Sequence, residues 1–229
     1  MAACSKSENN SANHLSTLVR DTINISVGGE PPTLDPDLSG DSISARVVHD
    51  FFEGLVSFDQ TGEPISGLAS SWGIYPDQKT YTFHLRQGIT SGAYKITEHI
   101  INGSISAVKN QYYYDESNVK IAKVKYLAIA DNNSDFNQYQ AGNVDITYSI
   151  PNDCYKEIKA KYAHELHTVQ QEAIYFYDFN MMRSELKNNL KLRQALSRAV
   201  DRDTLVNEVF GQGQTELFSY ITPTVANGA

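Results

Sequence analysis

Side chains that could act as nucleophiles, general acids or metal ligands are scattered through this sequence without forming a known catalytic pattern. Asp35 and Asp37 are the acid pair that a hydrolase would need, but no motif accompanies them. His164 and His167 are three residues apart and have no evident third metal ligand nearby. The sequence contains neither an HExxH metal motif nor a phosphate-binding GxxxxGK[ST] loop. We therefore expect no enzymatic activity, no cofactor and no metal.

Main-chain groups between residues 23 and 55 offer a different chemistry, the binding of a ligand by hydrogen bonds. A half-buried strand is predicted by alternating apolar residues at Ile23, Ile25 and Val27. The glycines and prolines at 28–32 end this strand and favour an extended, ordered loop from Gly29 to Ser39. Asp41 or Ser42 is a suitable N-cap for the helix that follows. Such a loop can present donors and acceptors to a cleft, and it can equally be an ordinary strand–helix connection.

The helix predicted after this loop carries an apolar stripe, which we interpret as its core face. The stripe consists of Ile43, Val47, Val48, Phe51, Phe52 and Leu55. Farther along, residues 173–180 form an almost continuous aromatic and apolar run, which predicts a central strand covered on both faces. In that strand Tyr175 and Tyr177 would share one face, with Phe176 and Asp178 on the other. One face is expected to contact ligand and the other to enter the core.

Composition narrows the possible partners. The chain has 229 residues, 41% of them hydrophobic, which is enough for a real core. The net charge of −8 argues against nucleic acid and against anionic membrane surfaces. No apolar run approaches the roughly 20 residues needed to span a bilayer.

Several of these segments carry a resemblance to a known family. GGEPPTLDP at 28–36, TYTFHLRQGI at 80–89 and above all RQALSRAVDRDTLV at 193–206 resemble the oligopeptide-binding proteins of ABC transporters (solute-binding protein family 5). These are extracytoplasmic receptors that capture short peptides for import. The resemblance implies an α/β fold with a mixed α+β sheet, forming largely one lobe of a two-lobed, type II periplasmic-binding-protein-like architecture. It also implies partnership with the permease subunits of the transporter.

The resemblance further implies which residues meet the peptide. The loop 36–41 corresponds to one that borders the peptide cleft in the family, and the end of a short strand predicted at 144–148 also reaches the cleft. The expected ligand-binding residues are therefore Ser39, Gly40, Asp41, Tyr148, Ser149, Ile150, Tyr175 and Phe176. For Ile150, a buried position in a strand-to-helix turn is an equally good interpretation.

The domain organisation follows from the same comparison. Residues 1–20 are expected to be a disordered leader, 21–180 the main lobe with a shortened subdomain around 55–90, and 181–229 the truncated helical start of a second lobe. After Thr90 the chain passes directly to SGAYKI, which resembles the strand that resumes the lobe after a long subdomain in the family. An internal gap is therefore predicted there. With an incomplete cleft, peptide binding should be weak, and a remnant or reduced scaffold without transport function remains an alternative, as does a receptor for dipeptides, heme or nickel.

The N-terminal sequence MAACSK resembles a bacterial lipoprotein cleavage site, with small residues before Cys4 and a polar tract after it. The apolar segment that precedes such a site is absent. The resemblance predicts a periplasmic or cell-surface protein, with a lipid anchor at Cys4 as its one contact with the membrane.

Overall fold

The computed structural model describes residues 21–59, 61–87, 92–168 and 173–220. The chain forms two compact units, the first ending at Ile150 and the second beginning at Pro151. The sequence predicted a main lobe extending to residue 180, and that lobe assignment stays a prediction. In the described residues none of the helices is both long and apolar enough to cross a membrane.

The first unit contains a four-stranded sheet, one long helix and two small ladders. Its elements in chain order are β1 (Thr22–Ser26), α1 (Ser42–Phe51), β2 (Val56–Phe58), β3 (Pro64–Ser66), β4 (Ala69–Ile74), β5 (Tyr81–Leu85), β6 (Tyr94–Ile100), β7 (Ser104–Lys109), a 3₁₀ turn (Glu116–Asn118), β8 (Lys123–Leu127) and α2 (Asn132–Gln140).

The four-stranded sheet is mixed, in the order β1-β8-β7-β6. The strand β1 runs parallel to β8, whereas β7 is antiparallel to both of its neighbours. The remaining strands pair locally, β2 with β3 and β4 with β5, both antiparallel. The mixed sheet confirms the predicted fold class.

The core lies between α1 and the mixed sheet. It is formed by Val27 at the end of β1, by α1 and by the central strands, and its buried members are Val27, Val47, Phe51, Ile105, Ala107, Val124 and Tyr126. The ring of Phe51 meets that of Tyr126 edge to face, with centroids 5.7 Å apart. The Tyr126 hydroxyl donates a hydrogen bond to Asp50 of α1. This helix–sheet contact places the Asp50 carboxyl in a poorly hydrated position, and this burial raises the pKa of Asp50.

The chain returns to the sheet at the point where the sequence predicted an internal gap. The side-chain amide of Asn110, which is buried, donates to the carbonyl of Gly92 at 3.0 Å, and its main-chain amide donates to Ala93 at 2.8 Å. Gly92 has φ +75°, and any side chain there would collide with the backbone of Phe51. The start of β6 is therefore packed tightly against the end of α1.

The second unit is helical in its described part. It contains α3 (Tyr155–Lys161), α4 (Ser184–Lys187), α5 (Leu190–Ala199) and α6 (Arg202–Thr204), and α6 continues directly into a π-helical turn (Leu205–Phe210). The last turn ends at Gly211, whose φ of +64° is the left-handed conformation common after the end of a helix.

Two strand predictions are wrong. Residues 173–180 belong to no strand, and Tyr175 and Tyr177 are 79% and 85% exposed. An apolar run becomes a buried strand only where another element covers it, and local sequence does not supply that cover. The segment 144–148 likewise forms only a single bridge, between Ile146 and Ile25 of β1.

Candidate ligand-binding site

The loop between β1 and α1 is held in one conformation by side chains on both sides. Both oxygens of the Glu30 carboxylate are engaged, one 2.7 Å from Nε2 of His99 and the other accepting from the amide of Asn102 at 2.8 Å. The Asp35 side chain accepts from the amide of Asp37 at 2.9 Å. The acid pair considered for hydrolysis therefore forms a local turn, so the predicted loop is ordered but is not extended throughout.

The loop ends at Asp41, which caps α1. Its Oδ1 accepts from the amides of Ile43 and Ser44 at 3.0 and 2.8 Å. These bonds, chiefly the one from Ser44, lower the pKa of Asp41. One oxygen of the carboxylate, Oδ1, is thus occupied by the start of the helix.

Ser39 and Gly40, immediately before the cap, present main-chain groups to solvent. Ser39 is half-buried and Gly40 is exposed. Within the described residues, their amides and carbonyls make no hydrogen bond to the protein. Unpaired main-chain groups on a rigid loop are what an extended peptide needs for backbone pairing.

Tyr148, near the C-terminal end of the first unit, contacts both the start of the loop and the start of α1. Its hydroxyl lies 3.1 Å from that of Ser42, the first residue of α1. Its ring packs against Gly28, which has φ +82°, and a Cβ at Gly28 would lie 2.5 Å from Cδ1 of Tyr148. The structure therefore brings the loop 39–42 and the segment beginning at Tyr148 together, as the predicted site requires.

The backbone at Tyr148 is fixed by a buried acid. Asp135 of α2 is 1% exposed, and its Oδ2 accepts from the amide of Tyr148 at 2.9 Å. Burial raises the pKa of Asp135, while the amide of Tyr148 and the Ser26 hydroxyl act in the opposite direction. Ser149 and Ile150 follow directly and are both partly exposed. A role for these two residues in ligand binding stays a prediction.

Tyr175 and Phe176 belong to the second unit. The Tyr175 ring lies 5.8 Å from that of Tyr177 and 6.1 Å from that of Phe210. Phe176 is 48% exposed and contacts the ring of Tyr220 at 5.2 Å. Both side chains are accessible, and their contact with ligand remains a prediction.

Three residues that shape the site were not predicted from the sequence to have a functional role: Gly28, Ser42 and Asp135. Gly28 was recognised only as a strand terminator and Ser42 only as a possible cap. Asp135 gave no signal, because nothing local distinguishes a buried helical aspartate from an exposed one. Among the described residues no cluster of His, Cys, Asp and Glu could hold a metal ion. Cys4 lies outside the described residues.

Comparison with known proteins adds sequence relatives. The family model for the middle region of family 5 of the bacterial extracellular solute-binding proteins matches residues 88–229. The periplasmic oligopeptide-binding protein OppA of Salmonella typhimurium is 33% identical over 142 residues, covering 62% of this chain and 26% of the relative. OppA of Haemophilus influenzae is 22% identical over 307 residues, covering 87% of this chain and 56% of the relative. That second alignment is longer than this chain, so the relative has internal residues without counterpart here, in agreement with the predicted gap.

Solved structures give the same fold. The Haemophilus influenzae OppA complex with the peptide RPPGFSPFR superposes with a TM-score of 0.79 at 22% identity, covering 90% of this chain and 60% of that one. The Escherichia coli murein tripeptide binding protein MppA gives 0.80 at 20% identity, covering 88% and 60%. The chain thus spans about 60% or less of these proteins. Because the family's pattern matches more than half of its residues, the chain belongs to the bacterial extracellular solute-binding proteins of family 5.

Proposed function

We propose that this chain is a substrate-binding component of an ABC transporter, and that it binds short peptides outside the cytoplasm. Family membership supports this function, and so do the names of the OppA and MppA relatives. The structural observation that carries it is the free main chain of Ser39 and Gly40 beside Tyr148.

In the proposed mode, the peptide lies extended along the loop and exchanges main-chain hydrogen bonds with Ser39 and Gly40. The Tyr148 ring and the exposed groups of Ser149 and Ile150 border the same region. Tyr175 and Phe176 stay separate candidate ligand contacts, in the second unit. Recognition through the main chain tolerates many peptide sequences, because every residue carries the same donors and acceptors.

The partners and location follow from the same proposal. The receptor would deliver peptide to permease subunits and would catalyse no reaction. It would act in the periplasm or at the cell surface, with Cys4 as the site of a lipid anchor. The acidic composition fits a protein without nucleic-acid partners.

The test is a titration of the ¹⁵N-labelled chain with tripeptides, followed by NMR, which detects complexes as weak as about 1 mM. Saturable shifts are expected at the amides of Ser39, Gly40 and Tyr148. Gly40 provides a matched pair of variants, because a Cβ there meets nothing within 4 Å. Gly40→Ala keeps the amide donor and should bind like the parent, whereas Gly40→Pro removes it and should weaken binding about tenfold. Absence of saturable shifts with every peptide would refute the proposal.

A further inference from the structure

A groove runs along one side of α1, next to the loop of the candidate site. We call it the α1 groove. It is a depression of about 410 Å³ that is open to solvent, and it is lined by Pro36, Ser39, Ala45, Val48, His49, Phe52, Glu53 and Gly54. Pockets of this size hold small-molecule ligands, so a single large side chain fits easily.

The groove exists because the apolar residues of α1 point in two directions. Val47 and Phe51 face the sheet and are 0% and 5% exposed. Val48 and Phe52, one position later in each turn, line the groove, where Val48 is 8% exposed and Phe52 is 38% exposed. The sequence predicted one stripe facing one core. The structure separates the stripe into two rows. The core row contains Val47 and Phe51, which belong to the core cluster, and the second row contains Val48 and Phe52, which do not.

The charged residue in the groove wall is already engaged on its inner side. Oε1 of Glu53 accepts from the Tyr114 hydroxyl at 2.9 Å, and Oε2 is shielded from solvent. The Arg86 guanidinium lies 4.2 Å from the centre of the Tyr114 ring and holds that tyrosine in place. An acidic ligand side chain would be repelled by Glu53. Oε2 has no hydrogen-bond partner among the described residues and lies below the surface, so a basic side chain would have to lose its hydration to pair with it.

The groove is continuous with the candidate site through Ser39, which lines the groove and also offers free main-chain groups. A peptide paired with Ser39 and Gly40 would therefore place a neighbouring side chain over Ala45, Val48 and Phe52.

We propose that the α1 groove is a side-chain pocket of the peptide site and that it selects an uncharged, apolar side chain of about the size of Leu or Phe. This inference rests on the proposed function and adds a preference to it. Burial of such a side chain should raise affinity about tenfold or more over an alanine peptide.

The experiment observes the groove itself by methyl NMR on the full chain. Tripeptides carry Leu, Phe, Lys or Glu at each position in turn, within an otherwise all-Ala sequence. Saturable shifts of the Ala45 and Val48 methyls are expected with Leu and Phe. Lys and Glu peptides should bind about as weakly as tri-alanine. The methyls of Val124 in the core report whether the fold is intact.

Two variants sharpen the test. Ala45→Trp fills the groove, so it should lower affinity for Leu and Phe peptides about tenfold and leave tri-alanine binding unchanged. Lys79→Ala, an exposed change in the turn before β5, is the control and should bind like the parent. If Ala45→Trp fails to fold, Phe52→Ala removes one wall and should reduce the preference for Phe over Ala.

The outcomes separate the two proposals. Equal affinity for Leu, Lys and Ala peptides, or shifts at Ser39 and Gly40 without shifts at Val48, would overturn the groove assignment and leave peptide binding intact. No binding of any tripeptide would overturn both.

Discussion

At the scale of single residues, the contact between Gly28 and Tyr148 joins the start of the loop to the far end of the first unit. The backbone of Gly28 has φ +82°, a conformation that is strained for any residue with a Cβ. The missing side chain also leaves the space that the tyrosine ring occupies. One glycine therefore sets both the direction of the loop and the position of a candidate ligand contact.

We predict that Gly28→Ala destabilises the protein by about 2–4 kcal/mol, because it adds left-handed strain of about 1–2 kcal/mol and displaces the Tyr148 ring. Urea unfolding measures the loss. Gly62→Ala is the matched control, since Gly62 has φ +86° but open space around its Cβ. It should lose only about 1–2 kcal/mol. Equal losses in the two variants would show that the contact with Tyr148 carries no energy.

At the scale of elements, α1 connects the site to the core. Its N-terminus is fixed by the Asp41 cap, next to Ser39 and Gly40. Its core row, which contains Val47 and Phe51, packs on the sheet. A substitution of Asp41 therefore affects both the loop before α1 and the stability of α1 itself. The predicted cap was one of two residues, and the structure shows that Asp41 is the residue used.

We predict that Asp41→Ala lowers Tm by roughly 2–4 °C near neutral pH, because two amides at the helix start lose their acceptor. The pKa of Asp41 is lowered from its ordinary value of 3.8 in the folded protein. Its stabilising effect is therefore present above that value and is lost as pH falls through the lowered pKa. Thermal unfolding should show that the gap between parent and variant narrows in acid.

Asp41→Asn serves as the control for charge, because an asparagine caps without titrating. Its Tm difference from Asp41→Ala should change little with pH. A gap between parent and Asp41→Ala that stays constant down to about pH 2 would contradict the assignment of the cap to an ionised carboxylate.

At the scale of the whole molecule, burial is distributed unequally between the two units. The core cluster, with Val27, Phe51 and Tyr126 among its members, lies entirely in the first unit. In the described part of the second unit, the buried aliphatic, aromatic and cysteine side chains are Cys154, Tyr155 and Ile158, on or next to α3. The helix α5 has no buried residue.

We predict that hydrogen exchange of the full chain divides along the same line. Amides of β1, β7 and β8 should exchange at least about 100-fold more slowly than those of α5, because exchange from a core strand requires a larger opening than exchange from an exposed helix. Mass spectrometry of peptic fragments measures both regions in one sample. Comparable protection in α5 and β8 would show that α5 is stabilised as strongly as the sheet.

The sequence alone determined the local elements of this protein and its family. Alternation predicted β1, and the polar residue before the apolar stripe predicted the cap of α1. These features depend on backbone preferences and on side-chain periodicity over a few residues, which are written in the chain order itself.

The tertiary structure decided which elements cover one another. It left the aromatic run at 173–180 exposed, divided the apolar stripe of α1 between the core and the groove, and placed the buried Asp135 under Tyr148. The physical reason is that burial depends on partners distant in sequence. Asp135 and Tyr148 are held together by a hydrogen bond between α2 and a later segment, and Gly28 reaches the same tyrosine from the start of the chain. No local pattern encodes those contacts.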